Sequence, residues 1–259
     1  MDNWTEIIDD LVAGKWMNPE TQELASVPFE SIVIKESLEG QEVELLSQIG
    51  LSKNLLLVCD ETTYTVLGKR IENAFMASGE MQVMILDHPH ADLSFVEDLR
   101  QKLSSFDGVV ACGSGTVNDI CKHSTMLNGQ QYAVFATSGS MNGYTSATAS
   151  MRLHSGLKIS LPSHAPKGFF VDLSVSASAP PYLAASGFGD CLCRSVAQVD
   201  WWLSHRLLGT LYLQSPYIIQ EQDEPELNSR AGKLPKGELE AMGYLCLLYT
   251  SDAADDRLS

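Results

Sequence analysis

Between residues 55 and 136, runs of about five apolar residues alternate with stretches of ten or so carrying apolar residues at helical spacing. The runs are Leu55–Cys59, Gln82–Leu86, Gly108–Cys112 and Tyr132–Ala136. The intervening stretches, Thr63–Phe75, Leu93–Leu103 and Thr116–Ser124, read as helices. This alternation restricts the chain to βαβ units and a mostly parallel sheet. Runs this uniformly apolar belong to strands buried on both faces. Upstream, the order is a helix over Glu6–Ala13, a strand over Ser31–Ile34 and a helix over Glu39–Gln48.

After Thr137 the rhythm changes. Residues 137–181 are rich in Ser, Gly, Ala and Pro, with short strands expected at Leu157–Leu161 and Phe169–Val171. A short helix is expected to follow Ala179–Pro181 and to run through Ala185. Gly187–Asp190 (GFGD) then reads as the opening of a long amphipathic helix over Cys191–Leu207, with Val196, Val199, Trp202 and Leu203 among its apolar positions. The expected architecture is an N-terminal Rossmann-like α/β domain (1–176) followed by the start of an all-helical domain (177–245). A helix is expected over Lys236–Leu248. It runs into YTSDAADDRLS, which has no periodicity, so 246–259 reads as a non-native tail.

Charge and cysteine usage exclude several function classes. Thirty-three acidic against seventeen basic residues give a formal charge of −16. No basic face is available for nucleic acid or for an anionic membrane surface. No apolar stretch approaches the roughly 18 residues of a spanning helix, and MDNWTEIIDD is no signal peptide. The six cysteines fall mostly in apolar runs without zinc-site spacing, as expected of buried thiols in a cytoplasmic protein.

Three places could carry chemistry. The first is Gly113-Ser114-Gly115-Thr116, directly after a strand and directly before a helix. Glycines permit a tight turn and close approach of a ligand, and the amides of a helix start face a phosphate. Asp119 and Lys122 follow three positions apart on one helix face; taken alone they read as a surface ion pair. The second is 137–146, a run of hydroxyls, an amide and glycines after the fourth strand of the alternating region. The third is Asp190, which at a helix start reads as an N-cap. No histidine stands at a zinc spacing from it, and His205 lies about 22 Å further along the same helix at 1.5 Å per residue.

The order Gly-Ser-Gly-Thr-Val-Asn-Asp-x-x-Lys, then Thr-x-x-Ser-Met-Asn-Gly-Tyr-Thr-Ser, then Gly-Phe-Gly-Asp and a Trp-containing helix resembles the glycerol-1-phosphate dehydrogenases. These belong to the iron-containing alcohol dehydrogenase and 3-dehydroquinate synthase superfamily. The resemblance runs from about residue 10 to 245 and implies reduction of dihydroxyacetone phosphate to sn-glycerol 1-phosphate, or the reverse, for phospholipid synthesis. It implies NAD or NADP and a divalent metal (Zn, Ni or Fe). By the same match Asp60 faces the nucleotide, Gly113, Ser114, Gly115, Thr116 and Val117 wrap the pyrophosphate, and Asp119 belongs to that motif. Thr137, Ser140 and Ser146 line the nicotinamide side. Asn142 stands where the family usually has an Asp that contacts substrate. Lys158 lies close to the cleft, and Asp190 is the first metal ligand. The other two ligands in the family are histidines further along, and here none follows His205. The chain therefore reads as an inactive fragment of an enzyme, prone to association, with a homo-oligomer compatible with the sequence.

Three alternatives stand beside this reading. A 3-dehydroquinate synthase shares the fold, but the Thr-x-x-Ser-Met-Asn-Gly block fits it worse. A glycerol or polyol dehydrogenase would need no phosphate-binding residues. A non-catalytic nucleotide-binding member is supported by Asn142, which carries no charge, and by the absent histidines.

Overall fold

The computed structural model describes residues 6–221 and 223–258. Its centre is a six-stranded, all-parallel sheet. The strands of the molecule in chain order are β1 (Trp16–Met17), β2 (Leu24–Ala25), β3 (Ser31–Lys35), β4 (Leu55–Asp60), β5 (Met81–Leu86), β6 (Gly108–Gly113), β7 (Gln131–Ala136), β8 (Thr148–Arg152), β9 (Lys158–Pro162) and β10 (Gly168–Asp172). The sheet order is β3-β10-β7-β6-β4-β5, while β1-β2 and β8-β9 form separate antiparallel hairpins. The four runs that set the sequence rhythm are four adjacent strands, each within one residue of its expected bounds.

The helices are α1 (Glu6–Val12), α2 (Glu42–Gln48), α3 (Glu61–Thr63), α4 (Lys69–Phe75), α5 (Leu93–Leu103), α6 (Gly115–Asn128), α7 (Leu173–Ser178), α8 (Pro181–Leu208), α9 (Ser215–Gln220), α10 (Asp223–Arg230) and α11 (Leu239–Leu258). A single wide turn, Tyr64–Gly68, joins α3 to α4. It is made possible at Gly68, where a Cβ would lie 2.7 Å from the Cys59 sulfur.

The pleat of the strands divides the core in two. Leu56, Val58, Val109, Ala111, Val134 and Val171 face α5, α6 and α11. Leu55, Leu57, Cys59, Val110, Phe135 and Phe170 face α2 and α4. Both sides of the sheet are thus covered, which is why these strands read as continuous apolar runs. Met242, Leu245, Cys246 and Leu248 of α11 belong to the first of these cores, so helices beyond residue 180 pack on the sheet itself.

From β4 the chain steps to β5 on one side, then crosses back to β6 on the other. The carboxyl ends of β4 and β6 therefore flank a topological switch point, the usual place for a ligand crevice in an open α/β sheet.

Two expectations change. Gly187 and Gly189 do not open a helix: α8 is one continuous helix of 28 residues, begun by Pro181 at its first turn and ended at Gly209, whose φ of +70° suits glycine. Also, the helix expected over Lys236–Leu248 is α11, which begins at Leu239 and continues through Leu258.

Candidate functional site

β6 ends in Gly113, and two residues later α6 begins. Ser114 is the N-cap residue in extended backbone, but its side chain caps nothing. The first amides of a 14-residue helix are thus left without a side-chain acceptor at the switch point. Thr116, in that first turn, lines a cleft of about 530 Å³. The same cleft is lined by Asp60 at the end of β4, Glu61 just after it, and Asp87 to His90 after β5. Asp60 has a structural task as well. Its Oδ1 accepts the Thr63 amide at 2.7 Å while the Thr63 hydroxyl accepts the Asp60 amide, a reciprocal capping box.

Both glycines make room for a neighbour, Gly113 for a fixed valine Cβ and Gly115 for a movable methionine. A Cβ on Gly113 would stand 2.7 Å from the Cβ of Val117, and one on Gly115 2.8 Å from the sulfur of Met141. Val117 is buried and offers a ligand only its backbone. The loops after β6 and β7 are stitched together where the Thr137 amide donates to the Gly113 carbonyl at 3.2 Å. Thr137 is buried, and the Ser138 hydroxyl donates to that of Ser140 at 3.0 Å.

A second cleft of about 470 Å³ opens one helical turn along α6. Asp119, Asn142, Ser146, Lys158 and Asp190 all line it, so the structure gathers five of the expected residues around one space. Asp190 lies well inside α8, as its tenth residue, and is not an N-cap. From there its Oδ2 accepts the backbone N–H of Asn142 at 3.2 Å. Lys158 is the exposed first residue of β9, on the far wall. His205 shares the unbroken α8 with Asp190, so their separation of about 22 Å stands.

Asp119 and Lys122 are not a surface pair. Both are buried, Lys122 completely. The Lys122 ammonium donates to the carbonyls of Gly143 (2.6 Å) and Thr148 (3.0 Å) and to the Ser146 hydroxyl (3.2 Å). Asp119 accepts the Ser150 amide at 3.1 Å. Burial pushes the Asp119 carboxyl up, against the pull of Lys122, Ser150, Asn118 and Lys158. The Ser146 hydroxyl also meets the Gly143 and Thr148 carbonyls, so it holds the loop as well as facing the cleft. Nothing in residue spacing distinguishes this buried lysine from a solvated one.

Fold and turn define a Rossmann-like α/β protein with clefts on either side of a glycine-turn helix. The family described as iron-containing alcohol dehydrogenase matches residues 33–180. The chain belongs to that family. It is 30% identical over 196 residues to a glycerol-1-phosphate dehydrogenase, named as using NAD(P)+, of Bacillus velezensis, covering 73% of this chain and 49% of that protein. To the protein of the same name in Thermococcus kodakarensis it is 29% identical over 191 residues, covering 73% and 54%. The chain spans about half the length of these relatives. Among solved structures, the glycerol dehydrogenase of Schizosaccharomyces pombe superposes with a TM-score of 0.73 at 17% identity, covering 86% of this chain and 60% of that one. The sulfoacetaldehyde reductase of Bifidobacterium kashiwanohense, solved with NAD+, gives 0.68 at 16%, covering 88% and 65%. Among the described residues no helix is long and apolar enough to cross a membrane.

Proposed function

We propose that this chain is the dinucleotide-binding part, with one wall of the substrate cleft, of an NAD(P)-dependent oxidoreductase interconverting dihydroxyacetone phosphate and sn-glycerol 1-phosphate. The observation that carries it is the uncapped start of α6 between two clefts, with Thr116 on one and Asp119, Asn142 and Asp190 on the other. The names of the relatives supply the substrate. When bound, NAD(P)H would donate the hydride to the ketone and NAD(P)+ would accept it back from the alcohol. The chain's own part is to seat the pyrophosphate at the α6 amides and to fix the loop that presents Asn142. Asn142 offers hydrogen bonds but no charge and no proton to transfer.

The divalent metal implied by the family does not fit the side chains present. Among the described residues no group of three His, Cys, Asp or Glu side chains is placed to hold one. Asp190 alone would leave a metal largely hydrated, since catalytic zinc sites use about three protein ligands. No chemical step is therefore assigned to a metal on this chain.

The test is a chimaera in which residues 1–245 replace the matching part of the Bacillus velezensis relative. It should oxidise NADH with dihydroxyacetone phosphate and leave unphosphorylated dihydroxyacetone untouched. Turnover of the unphosphorylated ketone alone would support the polyol dehydrogenase alternative instead.

A further inference from the structure

The second half of α8 has little of the protein beneath it. Among the described residues, α8 buries only Ala184, Gly187 and Cys191, all before Leu192. Beyond that point one side leans on the segment that returns from Gly209. There Trp201 donates to the Leu211 carbonyl at 2.6 Å and Gln198 to the Tyr212 hydroxyl at 3.2 Å. The other side is apolar and uncovered. Val196 is 64% exposed, Val199 60% and Leu207 72%, with Leu192, Trp202 and Leu203 each about half exposed. Helices in proteins draw most of their stability from packing an apolar face, and a contiguous exposed one marks a contact surface.

We propose that a second copy of this chain covers this face, with α8 packed antiparallel on α8. Ala185, Gly189, Leu192, Val196, Val199, Leu203 and Arg206 follow one another at alternating intervals of four and three residues. That is the spacing of a two-helix seam. It reads the same in either direction, so the face is complementary to itself, as a two-fold interface requires. With the axis between Ala197 and Gln198, Val196 meets Val199 of the second copy and Leu192 meets Leu203. Gly189 then faces Arg206. Nothing lies within 4 Å of the place a Cβ on Gly189 would take, so the long side chain has room. Parallel pairing instead sets Arg206 on Arg206 and Gly189 on Gly189, a repulsion at one end and a hole at the other.

Size and charge favour the same occupant. The uncovered side chains of the seam and its flanks, Trp202 and Leu207, approach the roughly 800 Å² per partner that a stable complex buries. A chain of net charge −16 repels its own copies over most of its surface. Residues 192–208, however, hold two arginines against one aspartate. The seam is therefore a place where two acidic molecules meet without added repulsion. Salt screens the repulsion that remains elsewhere and leaves apolar contact intact, so the pair should tighten as salt is raised. None of this depends on the dinucleotide reading.

Sedimentation velocity of the unaltered chain over a range of micromolar concentrations should show a closed monomer–dimer equilibrium. Val196→Glu combined with Leu203→Glu, both at exposed positions, should raise the dissociation constant at least tenfold with an unchanged circular dichroism spectrum. Leu208→Glu, at least as exposed but on the opposite side of α8, should leave it unchanged. Orientation is read by cross-linking in a Cys193→Ser background, which removes the exposed thiol. Mild oxidation of Leu192→Cys chains mixed with Leu203→Cys chains should give the mixed disulfide. Efficient cross-linking of Leu192→Cys chains to one another would overturn the antiparallel seam. A dimer unmoved by the paired glutamates, or equally weakened by Leu208→Glu, would overturn the assignment to this face. A chain that stays monomeric throughout would overturn the proposal and leave the face to a different partner, such as further chain of the longer relatives.

Discussion

The ammonium of Lys122 lies 3.9 Å from the carboxylate of Asp119, and both are shut inside the protein one turn past the glycine turn. Together they fasten α6 to the loop after β7 and to β8 itself, Lys122 through Gly143, Ser146 and Thr148, Asp119 through Ser150. A buried pair of this kind adds little over apolar packing, but losing one member strands the other. Lys122→Met should therefore cost about 3–5 kcal/mol in urea unfolding. Adding Asp119→Asn, which keeps the acceptor for Ser150 without the charge, should recover part of that loss. If the double variant is no more stable than the single one, the pair is not electrostatically coupled.

Asp172, at the end of β10, should contribute to the acid limb of stability. Burial pushes its carboxyl up, but the Leu38 amide, the Ser174 hydroxyl and the Arg70 guanidinium outweigh it. The net effect holds the group below its usual value. The unfolded chain then binds this proton more readily, so the contribution is complete above about pH 4 and is lost as pH falls through the lower folded value. Asp172→Asn should flatten the stability profile below pH 4 and lower the plateau above it. An unchanged acid limb in equilibrium unfolding would show that other carboxylates govern it.

This chain alone should be catalytically silent and should not retain a divalent metal. Asp190 spends one oxygen on the Asn142 amide, and no cluster of metal-binding side chains surrounds it among the described residues. Elemental analysis after dialysis should find well under one equivalent of metal. NADH oxidation on dihydroxyacetone phosphate should stay at background with added zinc or nickel. Stoichiometric metal with metal-dependent turnover would mean that ligands arrive from elsewhere, such as a second copy of the chain.

Much of the fold was legible because buried parallel strands leave an unambiguous trace. Leu55–Cys59 and Gly108–Cys112 have no polar residue to confuse their period. The glycine turn was legible for the same local reason, being bounded by a strand and a helix. Spacing does not show that Gly113 and Gly115 also make room for Val117 and Met141. Asp190 was misplaced because two glycines look like a helix breaker. Each costs a helix only about 1 kcal/mol, and Ala184, Gly187 and Cys191 bury α8 across that point. Lys122 was misread because helical spacing shows which residues share a face, not whether a loop 20 residues later will close over that face.

The central claim is that the start of α6 receives the pyrophosphate of a dinucleotide. Thr116→Asp tests it without disturbing the glycines. An aspartate in the first turn favours the helix by about 0.3–1 kcal/mol, while its charge repels a phosphate at the same amides. Stability and affinity should therefore move in opposite directions. In an NADH titration followed by nicotinamide fluorescence, paired with thermal unfolding, the variant should melt no lower than the unaltered chain and bind at least tenfold more weakly. Equal affinity in a variant of undiminished stability would contradict the claim.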